Sequence, residues 1–180
     1  MTTLFAHVPS PVGDLLLVAE ADADPQGGTS GDGRGSPGGV ALRGLYLPGH
    51  RRGPAVGPAW REDPAAFAPV RVALDAYFAD GSVAFDVPLD LDGTSFQLGV
   101  WSALRRIPTG ETVTYAELAR SVGRPGAARA VGSAVARNRV SIVIPCHRVV
   151  GSDGRLTGYA GGVERKAWLL AHERAARPRG

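Results

Sequence analysis

Apolar and polar positions divide this chain into short strands first and helices later. Leu4 to Val8 and Gly13 to Ala19 are apolar-rich runs on either side of Pro9-Ser10-Pro11, which marks a turn. Leu15-Leu16-Leu17-Val18 is too short for a globular helix between such breakers, so a strand is expected. Val40 to Leu47 resumes a strand. The intervening residues 21–39 are rich in Gly, Ser, Asp and Pro. They bury too little apolar surface to offset the entropy of ordering, and read as a flexible loop inside a β-meander. From Pro64 to Ala79, Phe67, Val70, Leu74, Tyr77 and Phe78 recur at spacings of three and four. That spacing predicts an amphipathic helix, with a start signal at Asp63-Pro64 and an end at Asp80-Gly81.

Residues 82–94 read as a short extended linker, after which the pattern turns helical. Phe96, Val100, Trp101 and Leu104 predict a helix from Ser95, closed by Pro108-Thr109-Gly110. Thr114 is the expected N-cap of a second helix, Tyr115 to Val122, stopped by Gly123. A third runs from Ala127 to about Arg137. Two short helices joined by a Gly-containing turn make a helix-turn-helix, whose second helix enters a DNA groove. Val140 to Ile144 is a short apolar run expected to be buried and to deliver the following residues to a pocket. Glu164 to Glu173 predicts a last helix with Trp168, Leu169 and His172 available to the core.

With 180 residues, 44% hydrophobic and 21% charged, the chain suits one domain or two small ones sharing an interface. No apolar run approaches the ~20 residues that span a bilayer. The N-terminus lacks a basic segment followed by an apolar one, so no secretory signal is read. That and a single cysteine suit a reducing, cytoplasmic location. Residues 1–100 hold 12 acidic residues and 6 arginines, whereas residues 101–180 hold 5 acidic and 14 basic ones. The overall charge of +3 therefore hides a basic C-terminal half, suited to nucleic acid or simply to a solvated arginine-rich surface. Lys166 is the only lysine, and its rarity reads as a coding bias without functional content.

Cys146, the one cysteine, sits in Ile144-Pro145-Cys146-His147-Arg148-Val149. It is either a small buried hydrophobe or a nucleophile. His147 and Arg148 favour the nucleophile, because nearby cationic groups ease formation of the thiolate. The third helix is built almost wholly of small residues, Ala127-Ala128-Arg129-Ala130-Val131-Gly132-Ser133-Ala134-Val135-Ala136. A helical Gly costs about 1 kcal/mol relative to Ala, so Gly132 implies close approach of another helix or of DNA.

Pro145-Cys146-His147-Arg148-Val149 resembles the active-site signature of the O6-alkylguanine-DNA alkyltransferases. Phe96-Gln97, Val100-Trp101, Ile107-Pro108-Thr109-Gly110-Glu111, Thr114-Tyr115 and Ala127-Ala128-Arg129-Ala130-Val131-Gly132 carry the same resemblance. So do Asn138, Gly158-Tyr159-Ala160-Gly161-Gly162 and Trp168-Leu169-Leu170-Ala171-His172-Glu173. The likeness is dense over residues 94–174 and only an outline over residues 1–90. It implies an α+β fold: a small ribonuclease-H-like N-terminal β-sheet domain over residues 1–90, and a helical winged helix-turn-helix domain over residues 91–176 carrying the active site.

The resemblance also implies a chemistry. Duplex DNA bearing O6-alkylguanine would be bound, the damaged base rotated out of the stack, and the alkyl group taken by Cys146 in a single irreversible turnover. O4-methylthymine is a possible second substrate. No metal or cofactor is implied, and a monomer would suffice. His147 would take the thiol proton through a water, Glu173 would orient His147, and Asn138 would brace the turn carrying Cys146. Tyr115 would rotate the nucleotide and donate to guanine N3. Backbone groups of Cys146 and Val149 would accept from the guanine amino group. The Ala160 N–H would point at O6, and Tyr159 would wall the pocket. Arg129 would fill the vacated stack, while Ala127, Ala128 and Gly132 would let the helix lie close to the backbone in the minor groove, where readout is degenerate.

Ala160 stands where many members carry Ser, and Ser141 and Thr157 where some carry Pro and Gly. A bulkier, more polar pocket mouth argues against large groups such as benzyl and leaves methyl transfer untouched. Three other readings compete. A lesion-binding relative without transfer would lack the acceptor cysteine. A winged-helix regulator would leave His147, Asn138 and Glu173 without a role. A cysteine hydrolase would turn over many substrates.

Overall fold

The computed structural model describes residues 1–21 and 40–176. Most of the loop expected over 21–39 lies outside them, apart from Ala21, which ends a strand.

Strands β1 (Thr2–Val8), β2 (Leu15–Ala21), β3 (Leu42–Tyr46) and β4 (Arg61–Glu62) form one sheet in the order β3-β2-β1-β4. The first three pair antiparallel, as a meander requires, and β4 adds parallel to β1. Leu4, Ala6 and Val8 of β1 face inward at the two-residue period of a pleated strand. Leu15, Leu17, Leu42 and Leu45 are fully buried beneath them, each contributing roughly 1.5–3 kcal/mol of hydrophobic stabilisation.

Helix α1 (Ala68–Ala79) packs its Val70, Leu74 and Tyr77 stripe into this core. The continuous helix expected from Pro64 is broken into a 3-10 turn, Pro64–Phe67, followed by α1. Pro69 is the reason, because it has no N–H to continue the ladder to Ala65. Asp63 caps the turn, accepting from Ala66 N at 3.2 Å.

The second half is helical, with α2 (Ser95–Arg105), α3 (Tyr115–Ser121), α4 (Ala128–Ala136) and α5 (Val163–Ala176). Thr94 and Thr114 each cap a helix through a reciprocal capping box with Gln97 and Glu117. Between α3 and α4 the chain turns through Gly123 and Gly126, both at positive φ, which only glycine adopts without strain. Trp101 of α2 reaches across and donates its indole N–H to Ala134 O of α4 at 2.9 Å. Three strands escaped the sequence pattern: β4, and β5 (Val113–Thr114) and β6 (Val149–Val150), which pair parallel with each other. Each is two residues long, too short for an alternation to register.

The halves are stitched together. Leu45 N donates to Arg139 O at 2.8 Å, and Ser141 N donates back to Leu45 O at 3.0 Å. One hydrophobic cluster runs from Leu4 to Leu169 across both. No described helix is long and apolar enough to cross a membrane.

Candidate active site

Residues 140–146 do not form a strand. Asn138 folds them into a tight turn: its side-chain oxygen accepts from Val140 N at 2.9 Å, and its amide donates to Ile144 O at 2.9 Å. Ile142 is held at φ 71° within that turn and is nearly fully buried. A β-branched residue in the left-handed region stores strain that the surroundings must impose. The turn ends at Pro145 and sets Cys146 at the start of a single 3-10 turn, Cys146–Arg148.

The thiol is enclosed on most sides. Asn138 Nδ2 donates to Cys146 Sγ at 3.1 Å. Burial pushes the thiol pKa up, while the Asn138 hydrogen bond and the charge of Lys166 oppose the rise. At neutral pH the resting group is therefore SH, and transfer of its proton must accompany attack. The Tyr159 hydroxyl flanks the thiol closely enough to perturb its protonation, and the Ser141 hydroxyl acts on Tyr159 in turn, yet neither hydroxyl forms a well-aligned hydrogen bond with a described residue. Lys166, 1% exposed, donates to Val149 O at 2.5 Å and Thr157 O at 3.0 Å. Burial lowers its pKa, and the Cys146 charge opposes that.

Behind the thiol lies a polar knot buried beneath both halves. Glu173, fully enclosed on α5, accepts five hydrogen bonds. Its Oε1 takes Tyr77 Oη at 2.8 Å, His147 Nε2 at 2.7 Å and Arg148 Nη2 at 2.9 Å. Its Oε2 takes Arg148 Nε at 2.9 Å and Gly110 N at 3.1 Å. Burial alone would raise this carboxyl, but the donors His147 and Arg148 hold it well below the usual carboxylate range. An ionised Glu173 only accepts, so His147 carries its proton on Nε2 and exposes the Nδ1 lone pair. Nδ1 is buried and meets no partner among the described residues. Burial also depresses the His147 pKa, which leaves the ring neutral and able to receive a proton. This is the pattern of an activated nucleophile, in which a base is held by a third group.

In front of the thiol opens a cavity of about 330 Å³, within the size range of small-molecule sites. Cys146, Asn138, Tyr115, Gly132, Tyr159 and Ala160 line it, so the structure brings these expected site residues together. His147 and Glu173 stand behind the thiol, outside the lining. Val149 is fully buried and also off the lining; its carbonyl accepts from Lys166. Ser141 is buried and Thr157 exposed, and neither borders the cavity. Gly132 has a clear place: a Cβ there would meet the Tyr115 ring at 3.6 Å, an ordinary contact. Helix packing therefore does not demand a glycine, and the missing side chain leaves room in the cavity. Ala127 and Ala128 are half-buried at the start of α4, and Arg129 projects into solvent without a hydrogen bond or ion pair to any described residue.

Several residues of the site escaped sequence reasoning. Tyr77 completes the Glu173 knot; Arg148, expected to ease thiolate formation, is bound instead to Glu173; and Lys166 sits beside the thiol although its rarity suggests only coding bias. His50, Arg51 and Arg52 wall the cavity from the N-terminal half. Their signal was available, as a basic cluster in an otherwise acidic half. Trp168 differs in the other direction: it is 37% exposed and stacks on His172 at 4.9 Å instead of entering the core. Leu169 and Leu170 take the buried positions of that turn.

Residues 95–175 match a family model described as the 6-O-methylguanine DNA methyltransferase DNA binding domain. A methylated-DNA–protein-cysteine methyltransferase of Mycolicibacterium paratuberculosis is 55% identical over 119 residues, which is 66% of this chain and 72% of that protein. The crystal structure of the O6-methylguanine methyltransferase of Mycobacterium tuberculosis superposes with a TM-score of 0.79 at 40% identity, covering 99% of this chain and 97% of that one. The OGT of the same organism in complex with DNA superposes with a TM-score of 0.77 at 41% identity, covering 98% of this chain and 96% of that one.

Proposed function

The chain belongs to the methylated-DNA–protein-cysteine methyltransferase family, whose members repair DNA by alkyl transfer, and on that premise we propose that Cys146 is the acceptor and O6-alkylguanine in duplex DNA the donor. The observation that carries this reading is a cavity-lining thiol whose neighbour in the chain is a buried base held by a carboxylate. Cys146 faces the cavity, and behind it His147 is held by an ionised Glu173 with Nδ1 free to accept.

The steps follow from these groups. The damaged nucleotide leaves the stack and enters the cavity, because a base inside a duplex is out of reach of a nucleophile. Arg129, exposed at the start of α4 and without a partner among the described residues, fills the vacancy. Ala127, Ala128 and Gly132 keep that helix flat against the minor groove. The thiol proton passes through a water to His147 Nδ1. Sγ forms a bond to the alkyl carbon, and the bond from that carbon to O6 breaks with its electron pair on the guanine. Tyr115 Oη at N3 and the Ala160 N–H at O6 meet the developing charge, and the main-chain carbonyl of Cys146 holds the guanine amino group; the Val149 carbonyl, buried off the cavity, stays with Lys166. The proton held by His147 returns to the departing guanine. Atoms and charge balance, and a thioether remains that no group in the site can cleave.

Residues 91–176 supply the thiol, base and DNA helix, and residues 1–90 brace them through Tyr77 and Leu45. Action as a monomer is part of the same proposal. A thiol that must stay reduced suits the cytoplasm. The test is a titration of excess O6-methylguanine duplex against protein: repaired lesions should plateau at one per protein molecule. Continued repair beyond that point would favour a hydrolase, and no repair with tight binding a lesion-binding protein.

A further inference from the structure

Beside the reaction cavity lies a second cleft, of about 540 Å³, that the chemistry above leaves unused. Three arginines line it: Arg52 from the N-terminal half, and Arg137 and Arg139 from just beyond α4. Arg52 also borders the reaction cavity, and Asn138 of that cavity stands between Arg137 and Arg139 in the chain, so the two openings are contiguous. We propose that this cleft binds a backbone phosphate of the lesion-bearing strand, flanking the nucleotide that enters the reaction cavity. The inference rests on the repair reading.

Charge and unfilled donors point to an anion. The Arg52 and Arg139 guanidiniums form no hydrogen bond or ion pair with a described residue. Arg137 is anchored on the last turn of α4 through the Ser133 carbonyl at 3.1 Å and the Ser133 hydroxyl, which fixes its fork in place. Asp92 is the one acidic group in the lining, and it belongs to the cluster in which Arg43 pairs with Glu20 at 2.6 Å and reaches Asp92 at 4.0 Å. The lining is therefore net positive. Thr94 and Gln97 add polar groups, and Gly93 keeps the floor low, since a Cβ there would lie 2.8 Å from the Trp101 ring. Guanidiniums match phosphate oxygens in planar, bidentate geometry.

Position selects the source. Arg129 and Arg137 stand at opposite ends of α4, a span of roughly 12 Å at the helical rise. One strand of B-DNA places a phosphate about every 3.4 Å along the axis. A strand that yields its nucleotide at Arg129 thus brings a phosphate within about four nucleotides of the lesion to the arginine cleft. Such a contact reads no sequence and adds affinity, as a repair protein needs.

The experiment uses the full chain with Cys146→Ala to block transfer, a duplex carrying one O6-methylguanine, and binding measured across a salt series. Arg139→Gln and Arg52→Gln should each make the plot of log K against log salt shallower by about 0.9 for every phosphate left without its arginine. Arg139→Lys should restore the slope. A methylphosphonate walked along the lesion strand should, at one position within about four nucleotides, make the parent and Arg139→Gln proteins bind equally. With Cys146 intact and the duplex saturating at low salt, Arg139→Gln should transfer methyl at the parent rate. Unchanged slopes in both variants would overturn the proposal, as would sensitivity confined to phosphates of the opposite strand. Failure of the parent protein to accept methyl would sink the transferase reading instead, and binding alone would then decide the cleft.

Discussion

His147 Nε2 donates to Glu173 Oε1 across 2.7 Å, with both side chains fully closed off from solvent. The bond fixes the tautomer and turns Nδ1 into the acceptor. Replacing His147 by Gln should lower single-turnover methyl transfer by about 10²–10⁴-fold, the usual worth of a positioned base, with DNA affinity nearly unchanged. Quench-flow transfer and binding on the same duplex separate the two effects.

Burial lowers the His147 pKa below its ordinary 6.5 and raises that of Cys146. A neutral base therefore persists through pH 6.5, and the transfer rate should hold steady from pH 7.5 to 6.5 before falling. In His147→Gln that acid limb should vanish, leaving a rate that climbs with pH as thiolate forms unaided. A pH–rate profile of both proteins at saturating DNA is the check.

Glu173 binds fewer protons in the folded than in the unfolded chain, because His147 and Arg148 outweigh the effect of burial. The stability it supplies is fully present above the ordinary glutamate value of about 4.3 and is lost as pH falls from there toward the depressed folded value. Glu173→Gln should flatten this acid dependence. It should also lower stability at pH 7 by about 3–5 kcal/mol, since Arg148 is left buried without its partner. Tyr77→Phe, which removes one donor of five, should cost about 1.5–3 kcal/mol. Denaturant melts at several pH values test all three statements.

Gly132→Ala should separate stability from activity. The added Cβ meets only the Tyr115 ring at 3.6 Å, so the helix accepts it and gains about 0.8–1 kcal/mol from propensity. The same methyl narrows the cavity and thickens the groove-facing helix, so affinity for a lesion duplex should fall more than that for a duplex without the lesion. Thermal melts and paired binding curves report the two effects.

Asn138→Ala removes the brace of the turn and the donor to Cys146 Sγ together. The thiol pKa should rise further, and alkylation of Cys146 by iodoacetamide should slow at fixed pH. The turn should loosen, because only backbone hydrogen bonds, such as that from Ile144 N to Val140 O at 3.0 Å, then hold Ile142 at φ 71°.

Much of this was legible in the chain. The Thr114 cap, the glycine stops and the helical apolar stripes are local signals, and the elements follow them. The Pro145–Val149 run with its distant partners pointed to the thiol, the base and the orienting carboxylate through family likeness. What stayed hidden depends on contacts between residues far apart in sequence. Tyr77 reads as a core aromatic on an amphipathic helix, and only folding brings its hydroxyl to Glu173, 96 residues away. Lys166 reads only as coding bias, and lysine is rarely buried, yet two carbonyls hold it inside. Arg51 and Arg52 lie in the acidic half, where a charge count over the whole half averages out a cluster that is visible locally. Val140 to Ile144 looked like an apolar run of any kind, and the side chain of Asn138 decides that it is a turn.

The central claim is that Cys146 accepts the alkyl group and keeps it. The most direct measurement mixes the protein with an equimolar O6-methylguanine duplex and follows intact mass and then peptide mass. One added methyl group, located on Cys146, is expected, with none in Cys146→Ala. An unmodified protein that still holds the duplex, or a methyl group on any other residue, would contradict it.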